Sequence, residues 1–478
     1  MTIVKICLIL EGCYPYVHGG VSTWMHQYIQ EMKEHEFVLW VIGAYEKDRG
    51  KFVYELPASV TEVHEVFLDA ALKVRGQKGK QYQFSPEQVQ ALKNLMDCGN
   101  PDWDILFDLY QRDQMNPTAF LMSEAFLDIL TQLCLEKYPY MAFADAFHTM
   151  RSMLLPVLYL MGQEVPEADL YHSIATGYGG LLGAMGRYVY HKPLIITEHG
   201  IYTREREEEI IRAKWVVPSF KQQWIRFFYM LSSLAYDKAA RITSLFTNAR
   251  NIQADIGADP SKCLVIENGI NYDRFKDIPI KEEDGWVDIG AVVRMAPIKD
   301  IKTMIYAYYE LNSRMPNVRL HIMGGVDDEK YAEECYELAR QLKLDQLLFT
   351  GRVDVVKYME KLDFTILTSI SEGQPLSVLE SLAATRPCVT TDVGCCRELL
   401  AGKADDDFGE AGYCVMPMYR EGLADAMEKM CRSRRRRLRM GSAGKHRVEA
   451  YYRQEIMMEK YRTLYEEVMR EWRESGLS

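Results

Sequence analysis

The chain has 478 residues, of which 48% are hydrophobic and 26% charged, and its formal net charge is -11. This length and composition predict a soluble globular protein of two domains. The acidic balance argues against a general nucleic-acid binder. Eleven cysteines without paired Cys-x-x-Cys spacing favour a reducing, cytoplasmic location. The most apolar interior stretch, Met153 to Met161, is about half the length that a bilayer requires.

The first half of the chain opens with the order strand, glycine loop, helix. The pattern predicts a strand at Ile3 to Leu10, a turn at Gly19-Gly20 and a helix from Val21 to Met32. This order indicates a first Rossmann-like domain at residues 1–277. Helix formers and aromatics at residues of about 55–165 predict a helical insertion on that domain. Later strands are predicted at Leu170 to Ile174, Leu194 to Thr197, Ile242 to Leu245 and Leu264 to Ile266.

A regular alternation of strands and helices begins at Val287. The predicted strands are Val287 to Val293, Val318 to Met323, Leu347 to Thr350, Phe364 to Thr368 and Cys388 to Thr391. The predicted helices are Ile301 to Arg314, Glu329 to Leu342, Val355 to Lys361 and Leu376 to Ala384. The alternation predicts a doubly wound parallel sheet, and hence a second Rossmann-like domain at residues 285–450.

Two further segments complete the predicted organisation. The acidic stretch Asp277 to Asp284 is typical of a solvated linker between domains. Residues 451–478 carry tyrosines and methionines at helical spacing, which predicts a terminal helix that packs back on the protein.

The stretch from Ser371 to Glu380 follows a predicted buried strand and leads into a helix. Pro375 suits a first helical position, and free amides at Gly373 to Leu376 would point at an anion. Because a phosphate repels carboxylates, Glu372 and Glu380 must address hydroxyl groups on either side of it. The stretch therefore predicts a binding site for a diphosphate sugar.

The two glutamates are spaced for transfer rather than for hydrolysis. At about 1.5 Å of rise per residue, the carboxylates of Glu372 and Glu380 lie roughly 10 Å apart. A pair that flanks one glycosidic bond needs about 5 to 9.5 Å, so these residues favour holding the two ends of a sugar donor. Taken singly, each glutamate could equally be an unrelated surface carboxylate.

Arg294 and Lys299 follow the predicted strand Val287 to Val293, and parallel sheets bind ligands at the carboxyl ends of their strands. A guanidinium and an ammonium there can stabilise a leaving diphosphate without a metal. Ordinary surface cations are the alternative. No metal-binding motif is present in the sequence, so we predict no metal dependence.

Three features of the first half are weaker candidates for a site. His199 follows a predicted strand and precedes a glycine, which makes an active-site role about as favoured as a structural one. His172, on the preceding strand, is the weaker histidine. Gly19-Gly20 could approach a phosphate or simply make a turn, and it lacks the full Gly-x-Gly-x-x-Gly spacing of a dinucleotide site.

Two charged runs are predicted to be solvated. The aspartates at 405–407 lie in a glycine-flanked loop. A basic run near the end of the chain could touch anionic lipid or a partner, but a solvated helix face is favoured. Its members are Arg432, Arg434, Arg435, Arg436, Arg437 and Arg439.

Together these motifs resemble the retaining glycosyltransferases of family 4, and the resemblance covers most of the chain. Glu372 and Glu380 match the family's Glu-x7-Glu motif, and Arg294 and Lys299 match its diphosphate-binding pair. The stretch Glu267-Asn268-Gly269-Ile270 stands where the family commonly has Pro-Asn-Gly-Ile or Pro-Asn-Gly-Val. With the long insertion, the stretch from Thr197 to Arg206 looks most like the branch of the family that serves Pel exopolysaccharide synthesis.

The resemblance implies a GT-B architecture, in which two Rossmann-like domains face each other across a cleft. It also implies a UDP-sugar donor, UDP-glucose in the Pel branch, a saccharide acceptor, and retention of anomeric configuration by attack on the same face. No metal ion or other cofactor is implied. Peripheral contact with an inner-membrane polysaccharide synthesis complex is a further expectation.

The resemblance also implies roles for individual residues. The implied catalytic residues are His199, Arg294, Lys299 and Glu372. The implied donor-binding residues are Gly19, Gly20, Arg294, Lys299, Arg352, Val353, Glu372, Gly373, Gln374, Pro375, Leu376 and Glu380. His172 and His199 are expected on the acceptor side.

Two other classes of protein remain as alternatives. A GT-B epimerase would isomerise a nucleotide sugar without an acceptor and would need additional acid and base residues. A non-catalytic subunit of a polysaccharide assembly would bind the nucleotide sugar and turn nothing over.

Overall fold

The structure of the protein is a computed structural model that describes residues 3–76, 82–403 and 406–476. The chain forms two compact units. Unit 1 comprises Met1–Val265 and Arg462–Ser478, and unit 2 comprises Ile266–Tyr461. The chain therefore passes between the units twice, and the first passage lies before the predicted domain boundary at residue 277.

Unit 1 is built on a seven-stranded parallel sheet of order β3-β2-β1-β4-β5-β6-β7. The strands are β1 (Lys5–Glu11), β2 (Glu36–Gly43), β3 (Val60–Phe67), β4 (Leu170–Ser173), β5 (Leu194–Glu198), β6 (Arg241–Ser244) and β7 (Cys263–Val265). The strands β1 and β2 contain continuous apolar runs, because a parallel sheet is buried on both faces. The order reverses direction between β1 and β4, where such folds bind ligands.

Among the described residues of unit 1, ten helices precede the second unit. They are α1 (Gly20–Glu31), α2 (Pro86–Met96), α3 (Trp103–Gln111), α4 (Pro117–Phe120), α5 (Glu124–Lys137), α6 (Phe143–Met161), α7 (Tyr178–Tyr190), α8 (Tyr202–Arg212), α9 (Lys221–Lys238) and α10 (Thr247–Ile256). The helices α2 to α6 form the predicted helical insertion. Its predicted start at residue 55 differs from the structure, since β3 lies inside the predicted range as an edge strand with mostly exposed or half-buried residues.

Unit 2 contains a six-stranded parallel sheet of order β10-β9-β8-β11-β12-β13. The strands are β8 (Val287–Val292), β9 (Val318–Met323), β10 (Leu347–Gly351), β11 (Phe364–Leu367), β12 (Cys388–Thr391) and β13 (Gly412–Val415). The helices are α11 (Ile301–Arg314), α12 (Glu329–Gln341), α13 (Val355–Met359), α14 (Leu376–Ala383), α15 (Cys396–Ala401), α16 (Arg420–Cys431) and α17 (Arg434–Tyr451). The long helix α18 (Gln454–Glu474) begins in unit 2, and its residues from Arg462 belong to unit 1.

The predicted fold class, two Rossmann-like domains with a helical insertion in the first, is confirmed. The predicted helix from Ile301 to Arg314 and the predicted strands from Val318 to Met323 and from Cys388 to Thr391 agree residue for residue. The strands β2, β3 and β13 were not predicted. Within residues 3–76, 82–403 and 406–476, no helix offers an apolar stretch long enough to cross a bilayer.

The predicted solvated linker at residues 277–284 is instead fastened to unit 2. The Lys281 side chain is only 11% exposed, and its Nζ lies 2.6 Å from Oδ2 of the buried Asp288. Arg386, which is fully buried, donates a hydrogen bond of 2.5 Å to the carbonyl of Pro279. The acidic residue Asp284 also pairs with Lys281 at 2.7 Å and with Arg319 at 3.2 Å, so the segment takes part in ion pairs within unit 2.

Both charged runs that were predicted to be solvated are partly buried. In the basic run, the Arg437 side chain is 8% exposed and pairs with Asp363 at 3.1 Å. In the acidic run, Asp406 forms a buried ion pair with Arg447. Asp405 lies outside the described residues. The solvated prediction is therefore wrong for Arg437 and Asp406, because each finds a partner that is distant in sequence.

Candidate functional site

The sheet of unit 2 changes direction between β8 and β11, which are neighbours in the sheet but not in the chain. In such sheets the ligand crevice lies beyond the carboxyl ends of these two strands. Arg294 and Lys299 follow β8, and Glu372 follows β11. The topology therefore brings together residues from two separate sequence motifs.

Lys299 and Glu372 form an ion pair across this crevice. The Lys299 Nζ lies 2.5 Å from Oε1 of Glu372, and the two side chains are 17% and 13% exposed. The same Oε1 accepts a hydrogen bond of 2.5 Å from Ser369. Thr368, next to Ser369, donates to the carbonyls of Lys299 and Asp300 at 3.0 and 3.1 Å. The glutamate is thus held by two donors in the free protein.

Arg294 lies in a loop whose backbone is tightly fixed. The loop begins at Val293, whose N–H donates to the carbonyl of Met323 at 2.9 Å. A Cβ on Gly324 would lie only 1.9 Å from the carbonyl oxygen of Val293, so that position requires glycine. The Arg294 side chain itself is 56% exposed and pairs with Asp327. Its guanidinium is therefore accessible to an anionic ligand.

The loop before α14 is supported from behind by the turn that follows β12. Gly394 has φ +54°, and a Cβ there would lie 2.1 Å from the carbonyl oxygen of Gly373. The N–H of Cys395 donates to the same carbonyl at 3.0 Å. The sequence predicts Pro375 as the first residue of a helix, but in the structure Pro375 is the cap residue that precedes α14. The N–H groups of Leu376 and Ser377 have no acceptor within the helix and can bind an anion, whereas that of Val378 donates to the Pro375 carbonyl at 3.1 Å.

Gln374 lies in this loop, and its side chain is bonded to the backbone of Asn268. Its Oε1 accepts a hydrogen bond of 2.7 Å from the N–H of Asn268, and its Nε2 donates to the Asn268 carbonyl at 3.4 Å. Both residues are buried. The hydrogen-bonding groups of the Gln374 side chain are therefore occupied by Asn268, and the predicted donor contact at Gln374 stays a prediction.

Glu380 is half-buried on α14. Burial raises the pKa of its carboxyl to about 7, and the positive charge of Arg274 opposes that shift. In the described part of the chain, no group donates a hydrogen bond to its side chain. A desolvated carboxylate without a donor is well placed to accept hydrogen bonds from ligand hydroxyl groups.

Arg352 and Val353 follow β10, at the same edge of the sheet. Arg352 is exposed, and its Nε would lie 2.7 Å from a Cβ built on Gly325. Val353 is half-buried. The residues are thus placed two strands from the crevice, on the β9 side.

In unit 1, Gly19 caps α1 and Gly20 is its first residue. Gly19 has an extended backbone with φ -175°, and no atom lies within 4 Å of a Cβ built on either glycine. The fold itself therefore does not require glycine at these positions. The open space next to the backbone is what a closely approaching ligand would need.

His199 lies directly after β5 and is half-buried. Its ring packs edge-on against Trp24, with 4.4 Å between ring centroids. Burial lowers the pKa of His199 to about 4. Its Nε2 is buried and has no hydrogen-bond partner in the described residues. The imidazole is therefore neutral and has one ring nitrogen available.

His172 is fully buried on β4. Its Nδ1 lies 2.6 Å from Oη of Tyr465, and its Nε2 lies 2.7 Å from Oγ1 of Thr197. Burial lowers the pKa of His172 to about 3, and the nearby His199 acts in the same direction. Because both ring nitrogens are bonded inside the core, this placement argues against the predicted acceptor-side role.

A buried carboxylate beside His199 was missed by sequence reasoning. Glu198 accepts hydrogen bonds from Tyr236 at 2.6 Å and from Gln253 at 2.8 Å, and burial raises its pKa. Ser369 was missed as well, although it lies only three residues before Glu372. The partners of Glu198 come from distant parts of the chain, whereas Ser369 bonds to a near neighbour in sequence.

Two family models match the chain, one in each unit. Residues 274–447 match the family described as "Glycosyl transferases group 1". This match covers most of unit 2. Residues 4–261, more than half of the chain, match the family described as "Domain of unknown function (DUF3492)". The chain belongs to this family.

Relatives of known activity are distant in sequence. The MMP alpha-(1->4)-mannosyltransferase of Mycolicibacterium hassiacum is 22% identical over 269 residues, which are 55% of this chain and 63% of the relative. The capsular polysaccharide biosynthesis glycosyltransferase CapM of Staphylococcus aureus is 22% identical over 333 residues, 66% of this chain and 81% of the relative. The match thus spans less than two thirds of the mannosyltransferase.

A solved structure with a similar fold is that of Anabaena Alr3699/HepE in complex with UDP. The two chains superpose with a TM-score of 0.59 at 12% identity, over 96% of this chain and 99% of the other. The same Anabaena protein has also been solved in complex with UDP-glucose. At this identity the likeness shows the fold alone.

Proposed function

We propose that the protein is a cytoplasmic, metal-independent, retaining glycosyltransferase that transfers a hexose from a UDP-sugar to a saccharide acceptor. UDP-glucose is the favoured donor, and Pel-type exopolysaccharide synthesis at an inner-membrane complex is the favoured setting. The observation that carries the proposal is the crevice of unit 2. There, Lys299 and Glu372 are paired beyond β8 and β11, Arg294 lies in the loop after β8, and Glu380 lies on α14.

Each group of the crevice suits one part of the donor. Glu380 accepts hydrogen bonds from the ribose hydroxyls, and Glu372 accepts one from a hydroxyl of the sugar. The diphosphate binds the amides of the α14 loop together with Arg294 and Lys299, whose charges stabilise it as it leaves. Arg352 and Val353 are assigned to the base, and the amides of Gly19 and Gly20 to a phosphate.

Donor binding must rearrange the ion pair between Lys299 and Glu372. An ammonium has three donors, so Lys299 can turn one toward a phosphate oxygen while it keeps another on Glu372. Ser369 continues to hold the same Oε1 during this exchange. The free protein therefore keeps Glu372 oriented and its charge compensated until the donor arrives.

The transfer step needs no dedicated protein base. The acceptor hydroxyl attacks the anomeric carbon on the face from which UDP departs. As the new C–O bond forms, the bond from the anomeric carbon to the diphosphate breaks, and the hydroxyl proton passes to the departing phosphate oxygen. The neutral His199 offers a hydrogen bond on the acceptor side, where a charged imidazolium is disfavoured by burial.

Two comparisons support the finer parts of this proposal. The Anabaena protein with a similar fold binds UDP and UDP-glucose in its solved complexes. The long insertion and the stretch from Thr197 to Arg206 resemble the Pel branch of family 4, of which PelF is the transferase. The donor sugar and the polysaccharide are proposed on these grounds.

Calorimetric titration tests the proposal directly. UDP, UDP-glucose, UDP-N-acetylglucosamine, GDP-mannose and NAD are titrated into protein treated with a metal chelator, with Glu380→Ala alongside. Binding of uridine nucleotides alone, weakened in the variant, supports the donor site. Binding of NAD, or no binding of uridine nucleotides, contradicts it.

The reaction class needs a second measurement. NMR of the product formed with an oligosaccharide acceptor should show the anomeric configuration of the donor. Formation of a new sugar nucleotide without any acceptor would instead indicate an epimerase. Binding without turnover for every acceptor offered would indicate a non-catalytic subunit.

A further inference from the structure

The chain enters unit 2 through residues 266–270, here called the entry segment, and this segment is strongly fastened. Its Glu267 is 7% exposed and pairs with Lys403 and Lys460, with 2.5 Å between its Oε2 and the Lys460 Nζ. Burial opposes ionisation of Glu267, but the two lysines hold the pKa of its carboxyl below the usual value. Lys460 lies two residues before the second passage between the units.

The backbone of the entry segment is bound to the start of α18. The N–H of Ile270 donates to the carbonyl of Tyr452, and the N–H of Gln454 donates to the carbonyl of Ile270, both at 2.9 Å. A Cβ on Gly269 would lie 2.4 Å from the carbonyl oxygen of Arg453. The two stretches of chain that leave unit 2 are therefore joined to each other within it.

The entry segment is also bonded, through the side chain of Gln374, to the residues 368–375 between β11 and α14, here called the donor loop. Gln374 accepts from the Asn268 N–H at 2.7 Å and donates to the Asn268 carbonyl at 3.4 Å. Both residues are buried, so these amide groups have no water to replace their bonds. A shift of the loop that bears Gln374 must therefore move the entry segment or leave buried polar groups without partners.

We propose that Gln374 is a positioning residue that couples occupation of the donor loop to the entry segment. The inference rests on the proposed donor role of the loop. A diphosphate bound by the loop amides displaces the neighbours of Gln374, which are Gly373 and Pro375. The two hydrogen bonds between Gln374 and the backbone of Asn268 transmit that displacement to Asn268. The ion pair between Glu267 and Lys460 passes it on to α18.

A purely structural role for Gln374 would satisfy the Asn268 backbone equally well, but it would not make the entry segment respond to a ligand. Hydrogen–deuterium exchange of the full chain with and without UDP separates the two roles. In the wild type, UDP slows exchange in the donor loop and changes exchange in residues 266–270. In Gln374→Leu, UDP still slows exchange in the donor loop, but the entry segment no longer responds.

Two results would overturn the proposal in different ways. If the entry segment of Gln374→Leu responds to UDP as in the wild type, the coupling does not pass through Gln374. If neither segment of the wild type responds to UDP, the donor assignment itself fails, and the coupling loses its basis with it.

A double-mutant cycle tests the reciprocal effect on affinity, since coupling between two sites acts in both directions. Lys460→Met should weaken UDP binding about fivefold in the wild-type background and leave it unchanged in the Gln374→Leu background. Lys302→Met is the matched control. Lys302 is 38% exposed and Lys460 is 41% exposed, and each is paired with a glutamate.

An equal effect of Lys460→Met in both backgrounds would contradict the coupling. If Gln374→Leu does not fold, Gln374→Glu takes its place in both experiments. It retains an acceptor for the Asn268 N–H and removes the donor to the Asn268 carbonyl. The entry segment of Gln374→Glu should then respond to UDP less than that of the wild type, and an undiminished response would count against the proposal.

Discussion

Units 1 and 2 place their candidate residues at equivalent points of similar sheets, yet they treat charge in opposite ways. In unit 2, Lys299 and Glu372 are charged, paired with each other and close to the surface. In unit 1, His172 and His199 are kept neutral by burial. The carboxyl end of a parallel sheet thus provides a place for a ligand, and the degree of desolvation decides whether ionic or neutral chemistry occurs there.

Among the charged residues of unit 2, we expect substitution of Arg294 to have the largest effect on the reaction rate. We expect Arg294→Ala to lower the rate of UDP release from UDP-glucose in the presence of an acceptor by about 100- to 1000-fold, because the guanidinium opposes charge that grows as the diphosphate leaves. Steady-state kinetics of UDP release measure this effect. The matched control is Arg397→Ala, which removes another exposed arginine paired with an aspartate. An unchanged rate in Arg294→Ala would remove this residue from the site.

Among the neutral residues of unit 1, we expect substitution of His172 to lower the stability of the protein rather than to change its chemistry. His172→Leu leaves the buried Thr197 hydroxyl without its imidazole partner, so we expect the free energy of unfolding to fall by about 2–4 kcal/mol. Urea denaturation followed by tryptophan fluorescence measures the change. His64→Leu, which removes an exposed histidine paired with Glu62, should change it by less than about 1 kcal/mol. Equal stability of His172→Leu and the wild type would show that the buried network contributes nothing.

Glu380 differs from Lys299 and Glu372, because it is a desolvated carboxyl within the otherwise charged site of unit 2. We expect Glu380→Ala to weaken UDP binding by about 10- to 100-fold, since hydrogen bonds to a carboxylate contribute about 1.5–3 kcal/mol. Calorimetry measures the dissociation constant. Glu421→Ala, on the exposed start of α16, is the control. Full affinity in Glu380→Ala would place the ribose elsewhere.

The pH dependence of binding is the smallest expected effect. Burial raises the pKa of Glu380 to about 7 in the free protein, so the carboxyl is largely protonated at pH 6 and ionised at pH 8. Ribose hydroxyls donate to the ionised form, so affinity for UDP-glucose should fall about tenfold from pH 8 to pH 6, with proton uptake by the free protein as the cause. Calorimetry in buffers of different ionisation enthalpy measures the protons released on binding. Glu380→Gln should lose this dependence, and a pH dependence retained in that variant would assign it to another group.

The sequence alone predicted most strands of the two sheets and the members of the donor motif. Runs rich in apolar and β-branched residues, such as Phe364 to Thr368, predict buried strands, and the charges that follow them are expected at the edge of the sheet. Arg294, Lys299, Glu372 and Glu380 were found in this way, because the spacing of strand, loop and helix is local information. The edge strand β3 was not predicted, because its mostly half-buried and exposed residues give only a weak local pattern.

Only the tertiary structure decided which of these residues face the crevice. Gln374 sits in the middle of the donor motif, yet its side chain bonds to Asn268, a residue distant in sequence. His172 and His199 look alike in sequence, but one is bonded at both ring nitrogens and the other is not. Desolvation and hydrogen-bond partners come from segments that meet only in the folded chain, so no local pattern encodes them.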